Sequence, residues 1–134
     1  MARTLTLSTK ELKRAAAAAY EGKAIRVMLC NVGNTGYTAE STVANWQSVE
    51  LSGNGYSRFS GTVGTGSYDG TAAAYVMPNI DAAFSASGSS FTYDTVVVYF
   101  NGETYPHSII AESPNIVLSA GQTQTYRISL KTDD

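Results

Sequence analysis

The 134-residue sequence is poor in the residues that most often announce chemistry: one cysteine, one histidine, one tryptophan and three prolines. A lone Cys30 cannot close an internal disulfide, and with a lone His107 it falls short of the three or four ligands a zinc site needs. Charge is also scarce. Nine basic against eleven acidic residues give a formal net charge of −2, which leaves no broad cationic surface for nucleic acid. No apolar run approaches the roughly 18–20 residues that cross a bilayer, and the opening MARTLTLSTKELKR has no apolar stretch of a secretion signal. The expectation is therefore a soluble chain made in the cytosol, with neither nucleic acid nor membrane as partner. What is present is a core: 43% of residues are hydrophobic and 15% charged, the balance of a single folded domain rather than of disorder.

Few residues are arranged for catalysis. Cys30 ends the run Ile25-Arg26-Val27-Met28-Leu29-Cys30, where a small buried strand residue explains it better than a nucleophile does. Any Ser-His-Asp triad has to use His107, which follows Pro106 with no nucleophile-elbow pattern around a serine. Asp69, Asp81 and Asp94 lie in no calcium-liganding run, and Gly61 to Gly66 lacks the Lys-Ser/Thr of a phosphate-binding loop. No catalytic residue, cofactor or metal ligand is predicted, and the expectation is a protein that is not an enzyme.

Thirty Ser and Thr, twelve Gly and nine Tyr point to short strands joined by tight turns. One helix is predicted, from about Thr9 to Glu21: Ser8 and Glu11 have the spacing of a capping box, Leu7 and Leu12 that of a staple, and Gly22 suits the position past the helix end. Strands follow at Ile25–Cys30 with one strongly buried face, at Ile80–Ala86, and at Tyr93–Phe100, which has both faces apolar and is predicted to be central. Asn101-Gly102 predicts a type I′ hairpin whose returning strand runs through Thr104 and Tyr105 towards Ile110. Val43–Leu51, around Trp46, is predicted to begin as a helical turn, and Gly61–Gly70 as a loop. In the last strand Tyr126, Ile128 and Leu130 face inward. The predicted fold is mainly β, an antiparallel β-sandwich of about seven or eight short strands with one N-terminal α-helix. Within that single domain, residues 1–24 form an arm and helix and residues 25–134 the sandwich.

Charge is unevenly spread. Residues 1–26 carry Arg3, Lys10, Lys13, Arg14, Lys23 and Arg26 against Glu11 and Glu21, and the remainder carries three basic against nine acidic residues. A basic N-terminal arm of this kind suits docking onto an acidic neighbour.

The capped helix, the strand AIRVMLCNV, the segment STVANWQSVELSGNGYSR, the FTYDTVVVYFNG hairpin and the terminal NIVLSAGQTQTYRISL together resemble a group of small virion structural proteins of tailed bacteriophages. Two elements carry most of the resemblance: Gly55-Tyr56-Ser57-Arg58 after a Glu-Leu segment, and a late Ala-Gly-Gln-Thr turn. It implies a β-sandwich located in the virion, assembled in the host cytoplasm and forming a homo-oligomer. The partners it implies are other virion proteins, the major capsid protein or tail components. The first expectation is a capsid decoration (cement) protein. A tail or fibre-adaptor protein is the alternative, and a carbohydrate-binding module for host attachment a further one. Arg3, Lys10, Lys13 and Arg14 are the expected anchoring residues. Tyr56 and Arg58 either join that partner surface or tie the fold together, with the guanidinium stacked on an aromatic ring.

Overall fold

The computed structural model describes residues 9–33, 35–71 and 73–133. The fold is mainly β, with antiparallel strands and a short N-terminal helix. Its residues gather into two compact units, the first from Met1–Lys23, Thr62–Ile80 and Arg127–Asp134, the second from Ala24–Gly61 and Asp81–Tyr126.

In the first unit, helix α1 (Thr9–Ala19) packs on an antiparallel sheet of order β3-β4-β9, formed by Ser67–Asp69, Ala74–Val76 and Lys131–Asp133. Gly22 takes φ +75° just past the helix, and its N–H donates to Val63 O at 2.9 Å. The predicted Ser8 cap lies outside the described residues, as does the Leu7–Leu12 staple; the Glu11 carboxylate is bound by Arg14, one turn on. Gly66 is a close-approach glycine. A Cβ there would lie 2.6 Å from Met77 Cε and 2.7 Å from Val76 O. Its N–H donates to Glu21 Oε1 at 2.9 Å, and its carbonyl accepts from the Tyr75 hydroxyl at 2.7 Å.

The second unit is built on β1 (Ala24–Cys30), β2 (Phe59–Thr62), β6 (Phe91–Phe100) and β7 (Ser108–Leu118), in the order β2-β1-β6-β7. As expected, β6 is central and buried along most of its length, antiparallel to β1 and β7. Strands β5 (Ile80–Ser85) and β8 (Thr123–Ile128) pair with each other. They face β6 through an aromatic layer: Phe84 meets Tyr56 and Tyr126, and Tyr93 meets Phe91 and Tyr126, with ring centroids 6.1–6.5 Å apart. The Tyr93 and Tyr126 hydroxyls bond each other at 2.7 Å. A shift in the β6–β7 register between Tyr93 and Thr95 leaves Glu112–Asn115 out of the ladder, and Glu112 there accepts from Tyr126.

Strand β1 buries both faces over its second half, not one, because Met28 and Cys30 are covered by helix α2 (Val43–Gln47). Thr42 caps α2: its Oγ1 accepts from Asn45 N and its own N–H donates to Asn45 Oδ1, both at 3.1 Å. Trp46 is 1% exposed, with its indole N–H on Thr38 O at 3.1 Å. Asp94 holds the adjoining loop through Val32 N at 2.8 Å.

The β6–β7 connection differs from its prediction. Positive φ occurs at Gly102 but not at Asn101, so the turn is not type I′, and pairing resumes only at Val98–Ser108. Two demands explain the longer loop. Phe100 and Asn101 stay bonded to β1, and the Thr104 carbonyl is taken by the first N–H of α2 at 2.8 Å. The predicted loop Gly61–Gly70 contains β3, whose residues are all exposed and alternate in no apolar pattern.

Candidate functional site

A closed polar cluster of the second unit forms where the chain returns to β1 after α2. Glu50 bridges to Cys30, and the following turn winds through Gly53, Asn54 and Gly55, all at positive φ. At Gly55 a side chain is excluded twice over, by φ +81° and by Ser87 Oγ, which a Cβ would meet at 2.4 Å. The turn returns Tyr56 and Arg58 to Glu50. Arg58 grips the carboxylate with two nitrogens, Nε lying 2.9 Å from Oε2, while the Tyr56 hydroxyl donates to Oε2 at 2.6 Å. The same hydroxyl accepts from Leu29 N at 3.1 Å.

Burial fits this closed arrangement. The Glu50 side chain is 12% exposed and that of Arg58 36%. Burial, and then the bond to Glu50, pushes the Tyr56 hydroxyl far above the usual phenol range. The Glu50 carboxylate holds Arg58 more firmly protonated than usual. The guanidinium lies 5.9 Å over the Tyr99 ring, so the aromatic platform anticipated for Arg58 is supplied by β6. Beside the cluster opens a cleft of about 450 Å³, lined by Arg26, Glu50, Leu51, Ser52, Gly53, Tyr56, Ser57, Arg58 and Ser60.

The other predicted partner-binding residues lie in the first unit. Lys10, Lys13 and Arg14 are exposed on α1, and their spacing places them on one helix face. Arg3 lies outside the described residues. Sequence reasoning missed Glu50 and Arg26 as members of the cluster. A signal existed for Glu50, the one acidic residue between Glu40 and Asp69. For Arg26 it is register: the residue stands opposite Tyr99 across β1 and β6.

The remaining reactive types have structural settings. Cys30 is buried, its thiol is pushed up to about 12 chiefly by burial, and Sγ donates to Trp46 O. His107 stands edge-on to Phe100 with Nδ1 3.4 Å from Ser108 Oγ, and partial desolvation lowers its pKa. Asp69 accepts from Thr71 N, as Asp94 does from Val32 N. Among the described residues, no three His, Cys, Asp or Glu side chains converge as metal ligands. No family model, curated protein or solved structure matches the chain.

Proposed function

We propose that this chain is a structural protein of a tailed-phage virion, a capsid decoration protein that stabilises the head shell through symmetric protein–protein contacts. The observation that carries the reading is the use made of Gly55-Tyr56-Ser57-Arg58, the element at the centre of the resemblance to small virion proteins. Tyr56 and two nitrogens of Arg58 close on Glu50, and the Tyr56 hydroxyl also closes on the β1 backbone at Leu29. A group arranged to transform a substrate leaves its donors and acceptors open to that substrate, whereas a group arranged to keep a surface in shape satisfies them internally.

Two further features support an adhesive role. Strand β7 pairs with β6 alone among the described strands and carries Ile110 and Val117, which are 44% and 58% exposed. Helix α1 presents Lys10 and Lys13 to solvent, a basic stripe for an acidic neighbour. Weak contacts repeated by symmetry sum to firm attachment.

Quantitative mass spectrometry of purified particles tests the proposal. A decoration protein is present in hundreds of copies. A handful of copies transfers the chain to the tail or fibre adaptor, and absence from mature particles rejects the virion reading.

A further inference from the structure

We propose that the cleft between Arg26 and Arg58 is a recognition site for a single carboxylate, presented by an acidic side chain of a protein partner. The choice of a protein as partner rests on the virion reading above; the carboxylate chemistry comes from the cleft itself.

The lining holds two guanidinium groups and one carboxylate. Glu50 is already shared between Arg58 and Tyr56, which leaves one positive charge in the cleft without a counter-charge. That charge belongs to Arg26. It pairs with no carboxylate among the described residues, and its bond there is from Nη1 to the neighbouring Ile25 carbonyl at 3.1 Å. A guanidinium carries five N–H donors in a planar fork matched to two carboxylate oxygens, so most of the Arg26 fork is open to an incoming group. Arg58 bonds Glu50 through Nε and Nη2, and its Nη1 makes no bond to the described residues. Both guanidinium groups belong to the sheet face that carries Tyr99, since Arg26 is the β1 partner of Tyr99 and Arg58 lies over its ring.

The rest of the lining suits the same ligand. Ser52, Ser57 and Ser60 bring hydroxyls that donate to an oxyanion, and the Gly53 backbone forms the wall without a side chain. The site is also held in place. Tyr56 ties the turn to Leu29 N, and its ring packs on Phe84 and Phe91. That packing decides against a sugar acid as the source. Tyr56 is the one aromatic residue of the lining, and its ring is already engaged by Phe84, nearly parallel to it, and by Phe91 edge-on, so the cleft offers no pair of aromatic faces between which a pyranose ring would stack.

The test is a titration of the full-length, ¹⁵N-labelled protein with N-acetyl-glutamate α-amide, whose only charge is the side-chain carboxylate. N-acetyl-glutamine α-amide, glucuronate and inorganic phosphate form the comparison arms. The expected result is saturable amide shifts centred on Ser52, Gly53, Ser57 and Ser60, with a Kd of about 1–10 mM for one charge-assisted contact set. Binding weakens with added salt and falls at least about tenfold in Arg26→Gln, the loss of a contact worth one decade. That variant leaves the Glu50–Arg58 pair intact, and Ser60→Ala, expected to bind more weakly, serves as a second variant. No saturable shifts with wild-type protein, equal shifts with the glutamine probe, or unchanged binding in a folded Arg26→Gln overturns the site. Tighter binding of glucuronate or phosphate than of the glutamate probe overturns the protein source. These outcomes are read on isolated protein and stay distinct from the particle copy number that decides the virion reading.

Discussion

Tyr56 serves two partners with one hydroxyl, donating to Glu50 and accepting from Leu29 N. Replacing it by Phe leaves a backbone N–H and a largely buried carboxylate each short of a partner. Tyr56→Phe is expected to cost about 1–3 kcal/mol, read as a lowered urea midpoint with unchanged slope. His107 gives a pH signature of opposite logic. Partial desolvation of its surface-exposed ring lowers its folded pKa below the ordinary value of 6.5, so the unfolded chain binds the proton more readily. The stability tied to neutral His107 is present above 6.5 and is lost as pH falls through that value towards the lowered folded pKa. Melting temperatures at pH 7.5 and 5.5 should show a larger acid loss in the native protein than in His107→Gln; an equal loss refutes the assignment.

Among the elements, Gly66, beside β3, is a tightly constrained position at ordinary backbone φ. A methyl group there meets the Val76 carbonyl, Tyr75 and Met77 at once, and the residue's own N–H and carbonyl are both engaged. Gly66→Ala is expected to destabilise by about 1–3 kcal/mol, the usual cost of overpacking, measured by thermal or urea unfolding. What could be read in advance followed side-chain patterns within each segment. Strand β1 appears where apolar residues alternate, β6 where both faces are apolar, and α1 where an alanine run follows a capping-box spacing, while the predicted last strand stops at Ile128, short of Leu130. Strand β3 was illegible because Ser67-Tyr68-Asp69 is exposed and held by backbone pairing to β4, which no side-chain pattern records. The Asn101-Gly102 turn misled because its geometry is set from outside, by β1 holding Asn101 N and α2 drawing on the Thr104 carbonyl. At the candidate site, Tyr56 and Arg58 were singled out through the Gly-Tyr-Ser-Arg element, while Glu50 and Arg26 join them only through the turn and the strand register.

At the scale of the whole molecule, the first unit joins the N-terminal helix to the last strand, with β3 and β4 drawn from the middle of the sequence. Most close residue pairs are therefore distant along the chain, and pairings of this kind fold slowly because long loops must close before they are rewarded. Lys10 and Lys13 contribute little to that architecture, being exposed on α1. The double variant Lys10→Glu, Lys13→Glu should melt within about 0.5 kcal/mol of the native protein, as surface changes do, yet fail to join particles in an incorporation assay. Normal incorporation would remove α1 from the attachment surface. The thiol beneath α2 reports on the packing above it. Cys30 is sealed under Trp46 and holds its proton at neutral pH, so an alkylating dye reaches it only in moments when that lid lifts. The rate of dye uptake thus gives the molecule an internal clock for its own breathing, to be compared between the solitary protein and the same protein fixed in its assembly.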